Sequence, residues 1–122
     1  GGGIPVMEQG IDLHGASAII EKDLASELLA EELDADTLLI LTSVEKVSLN
    51  KDTDNETLLD TVSVDDANKY IAENQFAAAG SMLPKIEAAV SFASKGSGHR
   101  TIITDIAHAR DGYREKTGTI IK

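Results

Sequence analysis

Two lysines in this sequence stand where a helix start would not place them. Lys22 comes just before Asp23, a plausible N-cap for the periodic stretch that follows it. Lys85 falls in the first turn of a second periodic stretch, directly after Pro84. A helix N-terminus carries partial positive charge, so a cation there costs on the order of a few tenths of a kcal/mol. A bound anion reverses that sign, and exposed N–H groups beside a lysine form a phosphate site. Gly80-Ser81-Met82 leads into Lys85, and a glycine lets the backbone come close to an anion. The residues alone leave a second reading open, in which both lysines are solvated and the glycine sits in an ordinary turn.

Other chemical signatures are absent or incomplete. The opening Gly1-Gly2-Gly3 suits a tight phosphate-contacting turn if a strand precedes it, and a tag or flexible linker explains it equally well. There is no G-x-x-x-x-G-K-[ST] and no G-x-G-x-x-G. Asp52, Asp54 and Glu56 begin like a calcium loop, but Thr57 stands where Gly is needed and Ser63 where Glu is needed. His14, His99 and His108 are scattered, so no metal ligands are assigned.

The elements that must position the lysines are legible as apolar runs. Leu38-Leu39-Ile40-Leu41-Thr42 is continuously apolar, as in a parallel strand covered on both faces. Thr101 to Thr104 and Thr119 to Ile121 are further strands, the latter introduced by Gly118, and Ala18-Ile19-Ile20 is a weaker fourth. Leu24, Ala25, Leu28, Leu29 and Leu33 form an apolar helical stripe with Glu27, Glu31 and Asp34 opposite. A second helix starts at Ser63, and a third follows Pro84 with Ile86, Ala89, Val90 and Ala93 on one face. Gly96 is expected to end that helix in the left-handed conformation. Residues 50–56 read as a solvated polar loop. Strands alternating with helices predict an α/β fold with an open, mostly parallel sheet and flanking helices, and residues 1–122 carry no internal boundary. Ligands of such sheets sit at strand carboxyl ends and helix N-termini.

The balance of charge narrows the partners. Eleven Lys and Arg face 21 Asp and Glu, a net charge of −10. That field repels phosphate backbones and anionic lipids, so nucleic acid and membranes are disfavoured partners. A small anion held by a few local lysines is still allowed. No apolar run approaches the length of about 20 residues that a span requires, and no leader pattern is seen. The absence of Cys excludes disulfides and thiolate chemistry and agrees with a cytoplasmic setting.

Taken together, these stretches resemble the carbamate kinases of the amino-acid kinase superfamily. The likeness runs through Gly1 to Val6, Ile19 to Ala25, Leu29 to Asp36, Leu39 to Thr42, Gly80 to Ala89 and Gly118-Thr119, with order and spacing both matching. The pairing of Lys22-Asp23 with the Gly-Ser-Met-Leu-Pro-Lys run is its most specific part. The resemblance implies reversible phosphoryl transfer between ATP and carbamate, giving ADP and carbamoyl phosphate, with Mg2+, as in arginine fermentation. It implies that Lys22 contacts the transferring phosphate, that Asp23 orients Lys22, and that Lys85 holds nucleotide phosphates. Gly80 and Ser81 would shape the turn before Lys85. Gly1, Gly2 and Gly3 would face the phosphates, and Thr42, Ser43, Val44 and Met82 would lie near the nucleotide. It further implies a cytoplasmic homodimer for the complete protein. The likeness covers only the C-terminal, nucleotide-binding portion of a family member, so the 122 residues are expected to be a piece cut within its glycine turn and inactive alone.

Three departures fall around the expected nucleotide pocket. Thr42-Ser43-Val44 stands where the family usually reads Thr-Asp-Val, and Ser48 where an aromatic is common. The run from Phe76 to Met82 lacks the usual Pro and carries one extra residue. The rival expectations are a non-catalytic acidic interaction domain and another amino-acid kinase, such as an acetylglutamate or uridylate kinase.

Overall fold

The apolar runs from Leu38, Thr101 and Thr119 meet in one sheet in the computed structural model, which describes residues 4–76 and 81–122. In chain order, a hairpin of β1 (Val6–Gln9) and β2 (Asp12–Gly15) precedes helix α1 (Lys22–Glu32) and strand β3 (Thr37–Thr42). Short strands β4 (Ser48–Leu49), β5 (Thr57–Leu58) and β6 (Thr61–Val62) follow, then helices α2 (Val64–Ala72) and α3 (Met82–Ser94). Strand β7 (Arg100–Asp105), the short helix α4 (Ala109–Tyr113) and β8 (Thr119–Ile121) complete the order. The main sheet runs β3-β7-β8-β6. β3 and β7 are parallel, in register from Thr37 opposite Arg100 to Thr42 opposite Asp105. β6 and β8 are also parallel, and β7 and β8 form the antiparallel pair of this sheet among the described residues. The fold is therefore the expected α/β type with an open, mostly parallel sheet and flanking helices.

α3 is the main packing helix. Pro84 is tolerated in its first turn, where backbone N–H groups have no intrahelical acceptor to lose. The stripe of Ile86, Ala89, Val90 and Ala93 is buried as expected, joined by Ala88 and Phe92. Three alanines on the packed side let the helix lie close to β7, where Thr101 Oγ1 donates to the Ala89 carbonyl at 3.1 Å. Gly96 follows this helix but keeps a negative φ, unlike the left-handed Gly10, Gly98 and Gly118. Its value is space: a Cβ there would meet the His99 ring at 3.2 Å, and that ring stacks on Phe92 with centroids 4.9 Å apart.

α1 reverses its expected orientation. Leu24, Leu28, Leu29 and Leu33 are 43%, 55%, 59% and 70% exposed, whereas Asp23 and Glu27 are buried. The reason is the neighbour: α1 packs on α3 through polar side chains, not onto an apolar floor. Asp23 meets Lys85, Glu27 accepts from Ser91 Oγ at 3.0 Å, and Glu31 meets Lys95 at 3.3 Å. Asp23 is also not the N-cap. Glu21 holds that position without a side-chain bond, and Lys22 opens the helix. Ala18-Ile19-Ile20 joins no sheet; it connects the hairpin to α1, with Ile19 fully exposed.

Gly118 and Thr119 tie the sheet together. Gly118 has φ of 84°, and a Cβ there would press on the Ile103 carbonyl oxygen at 3.0 Å, so glycine is required twice over. Thr119 is fully buried; its hydroxyl donates to the Leu59 carbonyl at 2.6 Å and accepts from the Val47 N–H at 2.9 Å. Among the described residues, no helix is long and apolar enough to cross a membrane.

Candidate functional site

The first turns of α1 and α3 bring Lys22, Asp23 and Lys85 together. Lys85 Nζ lies 3.0 Å from Asp23 Oδ2, with both side chains 8% exposed. The same ammonium has a long, 3.5 Å contact with the Ser81 carbonyl oxygen. Lys22 Nζ stands 3.4 Å from that same Asp23 oxygen and 3.8 Å from Glu21, but its side chain is 73% exposed. One buried carboxylate thus serves two ammonium groups, one buried and one open to solvent. The negative charge of Asp23 holds the Lys22 ammonium above the ordinary lysine pKa. Asp23 and the two lysines together carry one net positive charge, in a chain of net −10.

The helix starts themselves differ in kind. α2 obeys the ordinary rules: Ser63 caps it by accepting from the Asp66 N–H at 3.0 Å, and Asp65 and Asp66 sit in its first turn. Neither α1 nor α3 has a side-chain cap, and α3 has no acidic residue in its first turn. Their terminal N–H groups are available to another acceptor, beside the lysines.

Next to this group lies a cavity of about 550 Å³. Thr42, Ser43 and Val44, at the carboxyl end of β3, form one wall, and Ser81 and Met82, at the start of α3, form another. The β4–β5 ribbon and its turn supply Ser48, Lys51, Glu56 and Leu58. Ser81 links the two features, since it lines the cavity and its carbonyl touches Lys85. Lys22, Asp23 and Lys85 do not themselves line the cavity. Gly1, Gly2, Gly3 and Gly80 lie outside the described residues. Two of the departures noted in the sequence, Ser43 and Ser48, are cavity-lining residues.

Sequence reasoning gave no site role to Lys46 or Leu58 and read Lys51 and Glu56 as part of a solvated loop, whereas all four line the cavity. Residues 50–56 form a turn with Asn50 and Asp52 at positive φ, conformations that Asn and Asp tolerate well. Such a turn reads the same in sequence whether it faces bulk water or walls a cavity. Lys46 is engaged by Asp60, whose hydrogen bond raises its pKa, whereas Lys51 makes no ion pair among the described residues. At the carboxyl end of β7, Asp105 accepts from the His108 N–H at 2.8 Å and faces His108 Nδ1 at 2.7 Å.

The chain belongs to the amino acid kinase family, whose sequence model matches residues 1–105. It is 54% identical over 121 residues to the carbamate kinase-like protein YqeA of Escherichia coli, covering 99% of this chain and 39% of that protein. It is 46% identical over 121 residues to the carbamate kinase of Clostridium perfringens, covering 99% of this chain and 38% of that enzyme. Among solved structures, the carbamate kinase of Giardia lamblia bound to AMP-PNP superposes with a TM-score of 0.91 at 38% identity, over 98% of this chain and 41% of the other. The chain therefore spans about two-fifths of the length of the relatives it matches.

Proposed function

We propose that residues 1–122 form the nucleotide-binding unit of a cytoplasmic, homodimeric carbamate kinase, with ATP or ADP in the cavity between β3 and α3. The observation that carries this reading is the shared carboxylate of Asp23, which sets two lysines at two uncapped helix starts beside that cavity. The Giardia relative's binding of AMP-PNP supports it. In the proposed reaction a carbamate oxygen attacks the γ-phosphorus of ATP while the bond to the β–γ bridging oxygen breaks. ADP leaves with the bonding electrons, and carbamoyl phosphate forms.

Phosphoryl transfer depends on positioning and charge neutralisation. In this reading Lys22, whose side chain is open to solvent, meets the transferring phosphoryl group. Asp23 fixes the position of the Lys22 ammonium. Lys85, held by Asp23 and Ser81, supplies positive charge to the nucleotide phosphates from a nearly buried position. Thr42, Ser43, Val44 and Met82 bound the nucleotide, and the resemblance assigns Gly1, Gly2, Gly3 and Gly80, which lie outside the described residues, to the phosphates. Mg2+ would neutralise phosphate charge when bound. No group of three or more His, Asp or Glu able to cage a metal occurs among the described residues. That donor set fits an ion brought in on the phosphates, as Mg2+ commonly is, better than one with a site of its own.

Calorimetric titration of the 122-residue chain with ADP and Mg2+ tests the nucleotide site. Lys22→Ala, at an exposed position, should weaken binding without unfolding the chain; equal binding by the variant contradicts the role of Lys22. The chain alone is expected not to make ATP from carbamoyl phosphate and ADP, and turnover would contradict the partial-site reading. Ser43 and Ser48 in the cavity wall favour one second reading, a divergent family member that binds nucleotide weakly. In that case Ser43→Asp should tighten ADP binding.

A further inference from the structure

We infer that Lys51 and Glu56, at the tip of the β4–β5 ribbon, read the edge of the nucleotide's base and make the site take guanine nucleotides at least as well as adenine ones. The inference rests on the nucleotide reading of the cavity and names the base that the cavity selects. Of the charged side chains that line the cavity, Glu45 and Lys46 are committed elsewhere: Glu45 accepts from the Thr117 hydroxyl, and Lys46 is held by Asp60. Lys51 makes no ion pair among the described residues. The Glu56 carboxylate lies back over the same turn, where its Oε2 accepts from the Asp52 N–H at 3.3 Å.

The turn that carries both residues is itself fixed. The Asn50 N–H donates to the Gln75 carbonyl at 2.8 Å, and the Thr53 hydroxyl donates to the Asn50 carbonyl at 2.7 Å. A cation and a carboxylate are thus held at one cavity wall without neutralising each other. The rest of that wall suits a flat ring. Ser48 stands opposite Leu58 in the ribbon, so their side chains share the face turned to the cavity, while Leu49 is buried on the other face. Leu58 is 61% exposed, an apolar side chain left open in a cavity wall, and Val44 and Met82 line the same space. Ser81 ties the cavity to Lys85, which sets the phosphates at the start of α3 and leaves the ribbon for the base.

Apolar contact with the faces of a base does not tell one base from another, so selection falls to the charged groups at its edge. A lysine only donates hydrogen bonds, and an ionised carboxylate only accepts them. Guanine presents two neighbouring acceptors, N7 and O6, followed along the same edge by two donors, N1–H and the 2-amino group. Lys51 matches the first pair and Glu56 the second, with both carboxylate oxygens used. Adenine offers a carboxylate its 6-amino group alone, because its N1 is an acceptor.

Calorimetric titration of the 122-residue chain with GDP, IDP and ADP, each with Mg2+, tests the assignment. GDP should bind at least as tightly as ADP, and IDP, which lacks the 2-amino group, about tenfold more weakly than GDP. Glu56→Gln keeps the side chain's size and an acceptor for the Asp52 N–H, yet it should lower the ratio of GDP to ADP affinity about tenfold. Lys51→Met should weaken GDP far more than inorganic tripolyphosphate, a probe with no base. GDP binding weaker than ADP binding overturns the inference and leaves the nucleotide site standing, as does IDP binding as tightly as GDP. Equal weakening of GDP and tripolyphosphate by Lys51→Met also overturns it, since Lys51 would then serve the phosphates. A folded chain that binds none of the three nucleotides removes both the inference and the reading beneath it.

Discussion

The two layers that meet at α3 are held by different forces. On the sheet side, β7 is buried from Thr101 to Thr104, and α3 answers with Ile86, Ala89, Val90 and Phe92. On the other side, α1 meets α3 through Asp23, Glu27 and Glu31 and leaves its leucines in water. The sheet interface is non-directional and made from area. The α1 interface is directional and made from three pairings that become more exposed from Asp23 to Glu31. Apolar periodicity located both helices, but it indicates the covered face only where packing is apolar. A buried lysine on the neighbour reverses that rule.

The hardest blow to the contrast is at its polar end. Asp23→Ala leaves Lys85 buried without its carboxylate, and losses of about 3–5 kcal/mol are expected for breaking a buried pair. A urea midpoint measured beside Lys22→Ala, which removes only an exposed partner, reads the difference. Equal losses from the two would mean that the burial of Lys85 counts for nothing. Thr119→Val strikes the sheet side instead. It keeps the shape but deprives the Val47 N–H and the Leu59 carbonyl of a buried partner, for an expected cost of about 1–3 kcal/mol.

A smaller effect is expected in pH. The hydrogen bond to Asp105 raises His108 above its ordinary pKa of 6.5. Its stabilisation is therefore complete below that value and is lost as pH rises through the raised one. Asp105 is shifted below its ordinary 3.8, chiefly by the backbone N–H of His108, so its own share is complete above that value and is lost as pH falls through the lowered one. The stability gap between the wild type and His108→Asn should shrink as pH rises from below 6.5 through the raised value, and a gap that widened would reverse the assignment. The smallest change belongs to the α1 exterior. Leu28→Gln should move the stability of the isolated chain by no more than about 0.5 kcal/mol.

Much of the fold was legible in the sequence, and the failures have common causes. β3, β7 and β8 stood out because both faces of each run are apolar, and α3 because its stripe is unbroken. β4, β5 and β6 are two-residue strands, too short to carry a period. The Gly96 turn was misjudged because glycine serves a ring, not a φ angle. For the site, the electrostatic misfit of lysines at helix starts singled out Lys22 and Lys85. That Asp23 joins them across 62 residues is visible only in three dimensions. The resemblance pointed to Thr42, Ser43, Val44, Ser81 and Met82, and the fold brings these five around one cavity. Lys51 and Glu56 were missed because polar turn residues look alike on either side of a wall.

The central claim is that this cavity, served by Lys22, Asp23 and Lys85, holds a nucleotide. Backbone amide shifts of the 15N-labelled 122-residue chain, followed while ADP and Mg2+ are added, test it most directly. The account predicts saturable shifts concentrated at Thr42 to Val44, Ser81, Met82 and the first turns of α1 and α3, all reduced in Lys22→Ala. A folded chain whose spectrum stays unchanged at millimolar ADP, or shifts only elsewhere, would contradict it.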